Sequence, residues 1–215
     1  PDGRSVAFDA LRNAVGDIFS LNLDTKVVTN LTEDPFGDRA PSYSPDGKFL
    51  VYTARVSGNE KLFRLELDTH KKTQITFGTQ DETGAQFIDE HTLVFGSTAT
   101  DPSVPLEPEV ARNGNILNIW TLDLTTGELK QYTDAVGGNW SPIVLNEGKT
   151  NRIAFVSYFK NEYSIRTLER KEPLHAAASA DFGGPGPTHA SPPPPPPTPG
   201  APTAAHRWRA PPGAA

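Results

Sequence analysis

Catalysis, metal binding and phosphate binding each need particular side chains at particular spacings, and this chain holds few of them. Its five histidines, His70, His91, His175, His189 and His206, fall in expected turns or in the C-terminal stretch, and no two share a metal-ligand spacing. There is no G-x-S-x-G elbow, H-E-x-x-H pair, phosphate-binding G-x-x-x-x-G-K-[ST] loop or G-x-G-x-x-G turn. Asp181-Phe182-Gly183 spells a nucleotide-metal triplet, but no His-Arg-Asp loop precedes it, and it is read as chance. The absence of cysteine excludes a thiolate nucleophile, a thiolate zinc site and a disulfide scaffold. No catalytic, cofactor-binding or metal-ligating residue is therefore assigned. What stands out is a set of Asp-Gly pairs, a few aromatics and many acids in connecting segments.

The pairs point to the elements that carry them. Asp2-Gly3 recurs 44 residues on as Asp46-Gly47, and each precedes an apolar run, residues 5–8 and 49–52. A third such run, residues 92–95, follows Asp89-Glu90 in place of Asp-Gly. Two further elements keep the phase: DIFSLNLDT, KLFRLELDT and NIWTLDLTT begin at 17, 61 and 118, followed by Asn30-Leu31-Thr32, Gln74-Ile75-Thr76 and Gln131-Tyr132-Thr133. A weaker fourth copy runs from Trp140 to Ile165. Each unit reads as four short strands. Asp-Gly between apolar runs predicts a two-residue type I′ hairpin, with Asp2, Gly3, Asp46 and Gly47 as structural turn residues. Phe63, Leu65 and Leu67 alternate with Leu62, Arg64 and Glu66, whereas Phe49 to Tyr52 is apolar on both faces, as in a strand between stacked sheets.

Four-stranded units of about 43 residues have the period of β-propeller blades. The string from Pro41 through Asp46-Gly47 to Tyr52, with Leu62 to Leu65 and Gln74 to Thr76, resembles the WD40-like repeat of the TolB family over residues 1 to about 168. The expected fold is all-β, a propeller of four-stranded antiparallel blades with about three and a half present. Domain boundaries are expected at 1–170 for the partial propeller, 171–182 for an exit segment, and 183–215 for a Pro/Ala/Gly-rich tail. Twelve of the 21 prolines lie in that tail, which has no Leu, Ile, Val, Phe or Tyr and is expected to be disordered. The chain contains no methionine and opens on Pro1-Asp2-Gly3, so a fragment is expected.

Sorting the propeller loops by side places eleven acids and four bases on one face, enough to account for the whole formal charge of -6. Asp34, Asp38, Asp81, Glu82, Asp101, Glu107, Glu109 and Asp134 are its candidate partner-binding residues, suited to a basic protein segment or a divalent cation. Tyr43 and Trp140, on innermost strands, are candidate channel aromatics, although filling the space between blades explains them as well. The acidic balance excludes a nucleic-acid surface, and no apolar run is long enough to span a bilayer. The TolB resemblance implies a non-catalytic, exported, periplasmic platform for protein or peptide partners, without cofactors. The alternative is a substrate-gating propeller of a prolyl-oligopeptidase-like or tricorn-like peptidase. A third reading joins the propeller to a membrane-anchored module.

Overall fold

A computed structural model describes residues 1–12, 14–100, 116–147, 150–169 and 172–184. Asp101, Glu107, Glu109 and nearly all of the 183–215 tail lie outside the described residues.

Among the described residues fifteen strands form four antiparallel sheets, one for each sequence unit. The first holds β1 (Ser5–Arg12), β2 (Val15–Asn22) and β3 (Val28–Asn30). The second holds β4 (Arg39–Tyr43), β5 (Phe49–Val56), β6 (Asn59–Glu66) and β7 (Lys72–Gln74). The third is built from β8 (Glu82–Phe87), β9 (Thr92–Ser97), β10 (Asn118–Asp123) and β11 (Glu128–Gln131). The fourth is β12 (Asn139–Glu147), β13 (Thr150–Phe159) and β14 (Glu162–Glu169). Among the described residues the first sheet has no innermost strand and the fourth no outermost one, which matches the expected three and a half blades.

Successive sheets pack face to face, and each junction has its own apolar cluster. Ile18, Leu50, Tyr52, Ala54 and Leu65 fill the first. Val51, Leu62, Leu93, Phe95, Trp120 and Leu122 fill the second, and Val94, Ile119, Ile153 and Phe155 the third. Leu50, Val51 and Tyr52 are therefore buried on alternate sides of one strand, as the unbroken apolar run requires. The same geometry corrects the reading of β6. Leu62 and Leu65 are both fully buried, toward different neighbours, because this blade is covered on both faces.

The Asp46-Gly47 hairpin also differs from expectation. The Gly47 amide donates to Ser44 O at 3.0 Å, and Gly47 has φ of 72° while Asp46 is not in the left-handed region. That is a type I turn closed by a glycine bulge rather than a type I′ turn, and Pro45 at its second position favours it by fixing φ near -65°. Asp46 Oδ1 accepts from the Ser44 hydroxyl at 2.6 Å and the Lys48 amide at 3.1 Å, and these bonds hold its carboxyl below the usual range. Asp2 makes the corresponding bond to the Arg4 amide beside Gly3 at φ of 73°.

Residues 175–182, expected to lead out of the last blade, instead turn back onto the third. β15 (His175–Ala178) pairs with the outer edge of β11, and a 3-10 turn (Ser179–Phe182) sets Phe182 edge-on to Trp120 at 6.0 Å. The reason is local: β11 offers an open edge, and the Trp120 ring gains an apolar cover. No described helix is long and apolar enough to cross a membrane.

Candidate functional site

At each blade junction the first residue of the innermost strand, or the residue just before it, meets the start of the preceding blade's third strand. These positions are 21 residues apart in every case: Asp17 with Asp38, Lys61 with Glu82, Asn118 with Asn139. All six side chains are buried. Beside each pair a threonine completes the arrangement. Thr32, Thr76 and Thr133 accept, through Oγ1, the amides of Ile18, Leu62 and Ile119 at 3.0, 2.8 and 2.9 Å. A buried amide is thus satisfied the same way three times, while the polar pair beside it changes.

In the second junction the pair is an ion pair. Lys61 Nζ donates to Glu82 Oε2 at 2.9 Å, to Phe77 O at 3.4 Å and to Gln80 O, with both side chains almost wholly buried. Burial pushes the Glu82 carboxyl up to about 7, with the Lys61 ammonium opposing it. The third junction is neutral. Asn118 Oδ1 accepts from the Thr133 hydroxyl at 2.9 Å, the Ala135 amide at 2.9 Å and Asn139 Nδ2 at 3.2 Å.

The first junction is unlike both. Asp17 is 4% exposed and Asp38 1%. Asp17 Oδ2 accepts from Asn30 Nδ2 at 2.8 Å, but Asp17 Oδ1 has no hydrogen-bond partner, and the carboxyl of Asp38 has none beyond the neighbouring Thr32 hydroxyl. The Asp38 amide donates to Gly16 O at 2.8 Å, which holds its backbone against the residue preceding Asp17. A Cβ on Gly16 would come within 2.9 Å of Asp38 O, so this approach requires glycine. Burial raises the Asp38 carboxyl to about 7; the neighbouring Thr32 hydroxyl and Lys72 ammonium oppose this, and the charges of Asp34 and Asp17 add to it. Lys72 is engaged elsewhere, with Asp34 Oδ2 at 2.6 Å and Thr32 O. Among the described residues no three carboxylate, histidine or cysteine side chains converge.

These placements redraw the acidic loop face. Asp38 and Glu82 are not on the surface at all, because both point into junctions. Asp34 is paired with Lys72. Asp81 is engaged within the face: its Oδ1 accepts the Glu60 amide at 2.8 Å, and its own amide donates to Thr98 Oγ1 at 2.9 Å. Asp134 is exposed, as is Glu33, which pairs with Arg12 at 3.0 Å. Tyr43 packs in the first junction, its hydroxyl 3.3 Å from that of Ser20, and also lines a shallow pocket with Gln86, Phe87 and Ile88. Trp140 meets Tyr163 edge-on at 6.1 Å and does not share that pocket.

Innermost strands carry a further repeated feature that residue types conceal. Each has a bulge, and the bulged residues Ala40, Gly84 and Ser141 have φ of 52°, 65° and 51°. The bulge sits just inside the buried pair in each blade and sets the direction from which the strand enters the junction.

No family model matches the chain. An uncharacterised protein of Agrobacterium fabrum (strain C58) is 27% identical over 169 residues, covering 75% of this chain and 54% of that protein. The chain thus spans about half the length of this curated relative. Among solved structures, TolB from Acinetobacter baumannii aligns with a TM-score of 0.62 at 22% identity, over 81% of this chain and 40% of its own. The putative TolB from Agrobacterium tumefaciens aligns with a TM-score of 0.62 at 19% identity, over 83% and 63%. A puromycin hydrolase aligns with a TM-score of 0.56 at 15% identity, over 82% and 28%. At these identities the likeness is one of fold, and it agrees with the four sheets and their order: the chain folds as blades of a TolB-like β-propeller.

Proposed function

We propose that these blades serve as a non-catalytic platform for protein or peptide partners in an exported, periplasmic setting, docking a basic segment on the loop face. The observation that supports this reading is where the polar chemistry goes. Two of the three buried polar pairs are bonded to each other between blades, and Arg39, Glu60, Asp81, Thr83 and Thr98 knit neighbouring loops together. A rigid rim results, with Glu33 and Asp134 exposed on it; Glu107 and Glu109, which the sequence reading assigns to the same face, lie outside the described residues.

Titrating the chain with a lysine-rich peptide at low and moderate salt tests this. The reading expects binding that weakens steeply with salt and falls at least about tenfold when Glu33, Glu107, Glu109 and Asp134 are reversed to lysine. Equal binding by the reversed variant would overturn it. The likeness to puromycin hydrolase keeps a peptide-gating role beside a catalytic domain as the second reading. That role predicts binding of peptides regardless of their charge.

A further inference from the structure

The three junctions share one geometry, so the occupant of one shows what another lacks. In the second, an ammonium sits among Glu82, Phe77 O and Gln80 O. The 44-residue repeat places Asp17 where the second junction has Lys61, and places Asp38, Glu33 and Phe36 where it has Glu82, Phe77 and Gln80. The sequence repeat thus keeps the carboxylate and aligns the carbonyls of Glu33 and Phe36 with those of Phe77 and Gln80, while the lysine is replaced by a second carboxylate. Asp17 Oδ1 there is buried without a partner, and the Asp38 carboxyl has only the Thr32 hydroxyl beside it. Leaving such groups unpaired is costly, and a bound cation relieves the cost as the lysine does next door.

We propose that the first junction is a binding site for a hard divalent cation of calcium size, held by the carboxylates of Asp17 and Asp38 together with the backbone carbonyls of Glu33 and Phe36. Carboxylate and carbonyl oxygens, without nitrogen or sulfur, are the donors calcium prefers, and water completes its shell on the loop side. The cation takes the place of the Lys61 ammonium and stitches the first blade to the second. Lys72 does not substitute for it, because Asp34 and Thr32 O already hold its ammonium.

The test is thermal unfolding and titration calorimetry of the full chain, first stripped with chelator and then supplied with calcium chloride. Wild type should bind one calcium and gain about 5 °C or more at saturating concentration. Asp38→Asn should lose both responses. Asp17→Lys should reproduce the second junction, with a raised midpoint in chelator and no response to calcium. Absence of any calcium response by wild type at about 10 mM, above the range of even weak protein sites, would overturn the proposal. So would one calcium retained by Asp38→Asn, which places the ion among the exposed loop acids, or an equal response to magnesium, which removes the size assignment.

Discussion

The first and second junctions are built from the same strands, the same threonine and the same 21-residue spacing, yet one buries Lys61 against Glu82 and the other buries Asp17 with Asp38. The apolar clusters on either side are full in both cases. Cohesion between blades is therefore a shared apolar contribution plus a polar contribution that differs in sign from junction to junction. The second junction supplies its own countercharge. The first relies on protonation or on an ion from solution.

The largest effect expected from this contrast is at Lys61. Lys61→Met removes the countercharge but leaves Glu82 buried, and breaking a buried pair from one side costs about 3 to 5 kcal/mol. Urea unfolding followed by tryptophan fluorescence should show a loss of that size. Asp38→Asn, which removes a buried charge that has no countercharge, should stabilise the metal-free protein at pH 7. A loss under about 1 kcal/mol at Lys61, the scale of an exposed pair, would erase the distinction between the junctions.

Next in size is a pH effect. With chelator present, the folded protein keeps the Asp38 proton up to about pH 7, while the unfolded chain releases it near 3.8. Between those values the folded state binds more protons, so the contribution of this group to stability falls as pH rises. One such proton gives a slope of at most about 1.4 kcal/mol per pH unit. Comparing urea midpoints at pH 5 and pH 7, the Asp38→Asn variant should lose less stability than wild type. Glu82 titrates in the same sense in both proteins, so the difference isolates the first junction.

Where the junctions are alike, the same change should cost the same. Thr32→Val and Thr76→Val each strand a buried amide, of Ile18 or Leu62, at about 1 to 3 kcal/mol. Two values within about 0.5 kcal/mol of each other, the scatter of independent sites, would confine the contrast to the acid and lysine positions. A large inequality would show that the hydroxyl serves the carboxylate beside it unequally in the two junctions.

The blades are legible in the sequence because their signals repeat in kind: Asp-Gly turns, apolar runs, and the Leu-x-Leu of the third strand. Thr32, Thr76 and Thr133 are visible as a repeated residue, but not their partners, which lie 14 residues back on a neighbouring strand. The junction pairs are hidden because they repeat in position alone. Asp, Lys and Asn at one site and Asp, Glu and Asn at the other share no charge, so matching by type passes over them. Counting charge by loop then puts Asp38 and Glu82 on the surface, where a carboxylate is found by default and from which only the strand geometry removes them. The bulges are concealed for the same reason, since Ala40, Gly84 and Ser141 have nothing in common but φ.

That bulge yields the smallest effect and the most direct comparison of backbones. Ala40 in the first junction occupies the left-handed region that Gly84 occupies in the second. An L-residue there costs roughly 1 to 2 kcal/mol in steric conflict, while glycine costs about 0.5 to 1 kcal/mol in chain entropy. Ala40→Gly should therefore stabilise by about 0.5 kcal/mol, and Gly84→Ala should destabilise by a similar amount, since a Cβ at Gly84 would meet nothing within 4 Å. Paired urea titrations check both. Opposite signs of similar size would show that the two strands enter their junctions with equal backbone strain, so that what separates the junctions is the charge they bury. If Ala40→Gly destabilised instead, the lost chain entropy would outweigh the steric relief at this position, and the first junction would differ in backbone as well as in charge.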